Sequence, residues 1–225
     1  MEKTILNSDI TLCLTACDRN DLLFRTIDSF LNTNSYPIAQ WLIKEDSGDI
    51  KIAEEIKKKY PFVNIISGKN SGQGVSIDLL YNLVTTKYIF HCEEDWYFEG
   101  NKDFIKQSID ILEEFKDVHQ VWVRKNVEMW ISKNSWTKLN NFDFAYIDQN
   151  HLDGWNGFSW NPGVRRLSDY KTMFPNGFKE FTKKYRSGAH LEKECMENTK
   201  KFNYKAAILK DCVCDHIGNL KPTKK

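Results

Sequence analysis

Three consecutive carboxylates, Glu93, Glu94 and Asp95, follow a β-rich run beginning at Tyr88, Ile89 and Phe90 and lead directly into Trp96, Tyr97 and Phe98. Like charges set side by side between hydrophobic runs repel one another and, once desolvated, need partners. A divalent cation is one such partner. Oxygen-only ligands suit Mg²⁺ or Mn²⁺, which take one or two carboxylates and share the remaining positions with water and phosphate. Taken alone, the triplet reads equally as an exposed acidic turn after a strand, so its neighbours must decide.

Polar clusters recur upstream, each at the end of a strand-like run. Cys17, Asp18, Arg19 and Asn20 follow residues 9–16, and Glu45, Asp46, Ser47 and Gly48 follow residues 40–44. A third, residues 68–74, is a loop carrying Asn70, Ser71 and three glycines. Each by itself has the composition of an ordinary turn. Four in succession suit a nucleotide, because open α/β sheets bind ligands beyond the carboxyl ends of their strands. The glycine-rich loop matches neither the P-loop nor the dinucleotide fingerprint. Further along, Trp155, Asn156, Phe158, Trp160 and Asn161 mix aromatic rings with amides. That composition fits sugar rings, whose C–H faces pack on aromatic planes, and equally a tryptophan core beside a Pro-Gly turn.

These clusters require a regular scaffold. After the strand at 9–16, Leu22, Leu23, Ile27, Phe30 and Leu31 share one side of a helix that Asn20 or Asp21 can cap. Residues 40–44 and 62–66 read as strands, 52–60 as a charged surface helix ending before Pro61, and 75–84 as a helix leading to the strand at Tyr88. An amphipathic helix at 103–115 precedes a strand at 118–124. Strands alternating with helices at this spacing predict an α/β fold of βαβ units with a mostly parallel sheet. Residues 126–160 lack a clear period and predict loops with short antiparallel strands. Residues 192–202 predict a helix with Cys195 inward, 204–209 a strand, and the lysine-rich 219–225 a flexible tail.

At 225 residues and 41% hydrophobic content the chain can build one sizeable core, and no repeat or interior linker divides it. Its 32 basic and 31 acidic side chains nearly cancel, so no bulk field draws it to nucleic acid. Without a signal peptide or an apolar span, the expectation is a cytoplasmic protein with six reduced cysteines. Zinc held by Cys195, Cys212, Cys214 and His216 is disfavoured by the C-x-C spacing.

The motifs together resemble glycosyltransferase family 2 and related GT-A enzymes. The resemblance runs in order through Leu14–Arg19, Glu45–Gly48, Asn70–Gly72, Tyr88–Trp96, Phe158–Gly163 and His216–Gly218. It implies a three-layer GT-A sandwich with a mixed, mostly parallel sheet, forming one domain over 1–225. Residues of about 9–125 would bind the nucleotide sugar and about 126–218 the acceptor. Carried over by position, Thr15, Asp18, Arg19, Asn70 and Gly72 border the nucleotide, and Asp46 accepts a hydrogen bond from the base. Glu93, Glu94 and Asp95 stand at the acidic metal motif, with Glu93 departing from its usual aspartate and Glu94 free to face ribose or sugar. Asp95 and His216 would hold Mn²⁺ or Mg²⁺, and Trp155, Asn156, Trp160 and Asn161 would meet a glycan or other hydroxylated acceptor. The implied donor is a nucleotide-diphosphate sugar, built on UDP or GDP. Glu192 is the implied base for an inverting reaction, with Glu194 its competitor, although an acid in a helix's first turn is also favoured by the macrodipole alone. Two other readings stand beside this one. A sugar nucleotidyltransferase would carry a basic glycine-rich loop after the first strand, which residues 17–21 lack; a non-catalytic glycan-binding module would not turn over donor.

Overall fold

The computed structural model describes residues 8–125, 131, 135–148, 157–182 and 188–218. Its first strand, β1 (Ile10–Ala16), is buried along its whole length. Ile10, Leu12, Leu14 and Ala16 pack into one core cluster, while Cys13 joins a second on the opposite face. Alternate side chains leave a strand on opposite sides, so a strand covered on both faces needs hydrophobes at every position.

The parallel part of the sheet adds β2 (Gln40–Glu45), β3 (Asn64–Ser67) and β4 (Tyr88–Glu93). These are linked by α1 (Asn20–Thr33), α2 (Ile50–Lys59) and α3 (Gln73–Leu83). A short β5 (Trp96–Phe98) leaves the main sheet, and α4 (Phe104–Glu114) leads to β6 (Val118–Trp122). Then come β7 (Thr137–Leu139), β8 (Phe142–Tyr146), β9 (Gly163–Arg166), α5 (Leu167–Met173), α6 (Lys179–Thr182), α7 (Gly188–Lys200), β10 (Lys205–Leu209) and β11 (Cys214–His216). The nine-stranded sheet runs β3-β2-β1-β4-β9-β6-β10-β8-β7, with β9 antiparallel to both neighbours and β8 antiparallel to β10 and β7. Helices lie on both faces: Leu23, Ile27, Phe30, Ile56, Ile105 and Leu112 on one, and Ile77, Leu80, Tyr81, Leu191 and Cys195 on the other. The result is the expected three-layer α/β sandwich.

Gly163 explains how β9 enters between β4 and β6. A Cβ there would stand 2.3 Å from the Val121 carbonyl oxygen, so the strand approaches as closely as it does only because residue 163 has no side chain.

Three local expectations need correction. The first helix begins at Asn20 with Arg19 in the cap position, and no side chain caps it; the main-chain amides of Leu22 and Leu23 bond the Arg19 carbonyl instead. β3 sits two residues later than expected, because Val63 turns inward into the core before the ladder starts at Asn64. β5, β9, β11 and α5 escape a periodicity reading, since three to seven residues hold no more than two full periods of a strand or helix pattern.

Candidate functional site

The carboxyl ends of β1, β2 and β4 meet the amino end of α3 around a cavity of about 250 Å³ bordered by Thr15, Cys17, Arg19, Asp46, Asn70 and Glu94. Four clusters that lie apart in sequence therefore share one edge, as parallel register dictates. Thr15 pairs with Lys44 on one side and Glu93 on the other. Gly72, Gln73 and Glu93 also border the cavity.

The acidic triplet is held by the first helix. Thr26 and Ser29 lie one turn apart on α1, and Thr33 one further turn along the same face. Thr26 Oγ1 donates to the Glu94 carbonyl at 2.6 Å and accepts from the Trp96 amide at 3.1 Å. Ser29 Oγ accepts from the Phe98 amide at 3.1 Å, and Thr33 Oγ1 donates to the Phe98 carbonyl at 3.1 Å. This ladder of buried hydroxyls satisfies the backbone of β5, whose outer edge pairs with β11. The signal was legible as three hydroxyl residues at helical spacing on a buried face, but such residues more often bond their own helix.

Each carboxylate has a different environment. Glu93 accepts a hydrogen bond from Gln73 Nε2, and burial together with the charges of Asp95 and Glu94 pushes its carboxyl well above the ordinary range. Glu94 accepts from Arg19 Nε at 2.8 Å and Nη2 at 2.6 Å; burial still raises its pKa, outweighing the guanidinium. Asp95 Oδ2 lies 2.9 Å from Arg19 Nη2 and 3.3 Å from His216 Nε2. Burial acts to raise the Asp95 pKa, yet His216 and Arg19 together bring it below the usual carboxylate value. Asp95 Oδ1 is buried without a partner.

His216 arrives through the β5–β11 ribbon, where it pairs with Trp96; the two rings lie 5.0 Å apart and the Ile217 amide bonds the Asp95 carbonyl at 2.8 Å. A Cβ at Gly218 would stand 2.3 Å from Asp95 Oδ2 and 2.9 Å from His216 Nε2, so the chain approaches this pair too closely for residue 218 to carry a side chain. An orphaned carboxylate oxygen on Asp95 and the nearby His216 nitrogen are donors of the kind a divalent ion takes when phosphate and water supply its other ligands. Among the described residues no group of three or more His, Cys, Asp or Glu side chains gathers as a complete metal cage. The cysteines are all free thiols.

Asp46 is more heavily engaged than its strand-end position suggests. It accepts from Lys44 Nζ at 2.8 Å, from the Ser71 amide and hydroxyl at 3.0 and 2.9 Å, and from the Gly72 amide at 2.8 Å. Burial opposes its ionisation, but Lys44 and Ser71 outweigh it and depress its pKa. In this arrangement Asp46 anchors residues 71–72 while bordering the cavity. Asn70 stands at the rim, its Nδ2 3.8 Å from Cys17 Sγ, while Asp18 is exposed in a left-handed conformation, φ 53°.

On the other side of the edge, Glu192 Oε1 accepts from the Trp160 amide at 2.7 Å and the Ser159 hydroxyl at 2.8 Å. Burial pushes its carboxyl up to about 7, against the lowering effect of those two bonds and of Arg165 and Arg124. Glu194, two residues on, leaves the helix on a different side, since i and i+2 do not share a face. Trp160 is 2% exposed and packs on Phe158 and Phe178, so its ring is a core element rather than a surface for a sugar. Asn161 reaches Arg124 Nη1 at 3.3 Å, and the Arg124 guanidinium lies 5.4 Å from the Trp96 ring centre. Trp155 and Asn156 lie outside the described residues.

A second cavity, of about 270 Å³, lies by Asp78 and Tyr170. There Asp78 accepts from the Tyr170 hydroxyl and the Phe178 and Lys179 amides, a staple between α3 and the segment before α6.

No protein-family model matches the chain and no curated protein is similar to it in sequence. Its fold is nonetheless shared with solved structures. A mannosyltransferase from Pyrobaculum calidifontis, PcManGT, in complex with GDP-Man and Mn²⁺, superposes with a TM-score of 0.66 at 11% identity over 97% of this chain and 59% of its own. S. aureus TarS 1-349 gives 0.63 at 11% over 92% and 60%, and its complex with UDP-GlcNAc 0.61 at 11% over 94% and 61%. The chain thus spans about three fifths of the structures it matches. The shared architecture is the GT-A glycosyltransferase fold.

Proposed function

We propose that this chain transfers a sugar from a nucleotide-diphosphate sugar to an acceptor hydroxyl. The single observation that supports this most is Asp95. Its carboxylate follows the carboxyl end of β4, with one oxygen shared between Arg19 and His216 and the other lacking a partner. Asp95 and His216 would hold Mn²⁺ or Mg²⁺, as the Mn²⁺ bound to PcManGT suggests by analogy of fold. Bound there, the ion supplies positive charge to the departing diphosphate, which is the chief barrier of the reaction.

The chain's own residues do the rest. Thr15, Cys17, Asn70 and Gly72 line the space for a nucleoside, and the Lys44–Asp46 pair holds the glycine-rich loop over it. Arg19 bonds both Glu94 and Asp95 and so offsets part of their mutual repulsion. Glu192, with a carboxyl poised near neutral pH, takes the proton of the acceptor hydroxyl as the new bond forms. Glu194 is the alternative base. Asn161, bonded by Arg124, would meet the acceptor. The segment from about residue 126 would carry acceptor recognition, and the whole chain would act as one domain.

The test is hydrolysis and transfer with a panel of UDP- and GDP-sugars in Mn²⁺, comparing the native chain with Asp95→Ala. Turnover is expected to fall by about 10²–10³-fold or more, with the thermal midpoint within a few degrees of native. Equal turnover in the two proteins would remove Asp95 from the reaction, and no turnover of any donor by the native chain would favour a binding module.

A further inference from the structure

Arg165, in the middle of β9, is 4% exposed. Its guanidinium makes one hydrogen bond, from Nη2 to the Ser159 carbonyl at 3.1 Å, while Nε and Nη1 are buried without a partner. Among the described residues no carboxylate lies within ion-pair distance of it. Around it stand Cys13 from β1, Tyr81 from α3, His91 from β4 and His119 from β6, all of which feel its charge. Burial keeps both histidines neutral, His91 well below its ordinary pKa and His119 at about 3. An unpaired buried guanidinium is costly, and an apolar side chain of similar volume would serve packing better. The cost points to a role outside stability.

Ser159 links this charge to Glu192. Its carbonyl accepts from Arg165, and its hydroxyl and the following amide both donate to Glu192 Oε1. The charged and titratable groups that act on or feel Glu192 are Arg165 from β9, Arg124 from the end of β6, Glu93 from the end of β4 and Cys195 from its own helix. Of the two cations, Arg165 has the stronger effect and is the one that also grips Ser159.

We propose that Arg165 is a positioning residue for Glu192: it holds residues 159–160 in the shape that grips the carboxyl and supplies the buried positive charge that faces it. The proposal rests on the reading of Glu192 as the acceptor's base. Its test needs no substrate. The full chain labelled with ¹³C at glutamate carboxyls is titrated by NMR, and the Glu192 resonance is identified by its loss in Glu192→Gln. In the native chain it is expected to titrate near pH 7, in Arg165→Met and Arg165→Gln about one pH unit or more higher, and in Arg165→Lys close to native. The Arg165→Met chain is expected to melt no lower than native, because an unpaired buried charge has been removed. Glu192 titrating at its native pH in the neutral variants would overturn the proposal. So would failure of both neutral variants to fold, which would make Arg165 a stability residue. A chain that titrates as expected yet turns over no nucleotide sugar would overturn the transferase reading and leave the coupling between Arg165 and Glu192 standing.

Discussion

At the scale of single residues, Lys44 is the side chain whose importance is least visible from its type. It lies in a strand position where an apolar residue is the norm, and its Nζ meets Asp46 Oδ1 at 2.8 Å with both side chains under a tenth exposed. Removing one partner of such a pair leaves a buried, uncompensated charge, so Lys44→Met is expected to destabilise the fold by about 3–5 kcal/mol and weaken nucleotide binding. Urea denaturation and calorimetric titration with UDP and GDP would measure both, and Lys44→Met combined with Asp46→Asn should recover much of the stability. Glu192 gives a prediction in pH. Its folded pKa of about 7 lies above the ordinary 4.5, so the neutral form favours folding. That contribution is complete below about pH 4.5 and is lost as pH rises through 7, a difference of roughly 3 kcal/mol at about 1.4 kcal/mol per unit. Glu192→Gln should therefore be more stable than the native chain at pH 8 by about that order, with the gap closing toward pH 4.5. Parallel urea melts at the two pH values check it. The acids themselves were legible from composition and spacing. Their partners were not, because Arg19, Gln73 and Ser159 meet them from distant parts of the chain and carry no local pattern.

At the scale of elements, the βαβ half was readable because its strands and helices are long enough to show a period. Residues 10–16 and 20–33 each carry several repeats of their pattern and fall where expected. β9 is four residues long, and no periodicity in Gly163–Arg166 marks it as the strand joining the two halves of the sheet. What does mark it is the glycine. Gly163→Ala would drive a Cβ into the Val121 carbonyl, where no flexible side chain can yield, and is expected to cost about 1–3 kcal/mol in a urea melt. A native midpoint in that variant would mean that β9 can shift along its neighbours.

At the scale of the whole molecule, one core cluster runs from Ile10 and Phe30 in the βαβ half to Phe142, Phe144 and Leu209 beyond it. Apolar packing continuous across the sheet predicts a single cooperative unfolding transition, in which far-ultraviolet circular dichroism and tryptophan fluorescence change together. Two separated transitions would divide the chain into two folding units. Among the described residues no helix is long and apolar enough to cross a membrane.

The ribbon between β5 and β11 has a consequence for synthesis. A ribosome releases Glu93, Glu94 and Asp95 well before Cys214 and His216, so the acids are made long before the histidine that meets Asp95 in the finished fold. The edge matures only when the late strand docks on Trp96–Phe98. A chain that stops short of β11 therefore lacks the His216 contact to Asp95.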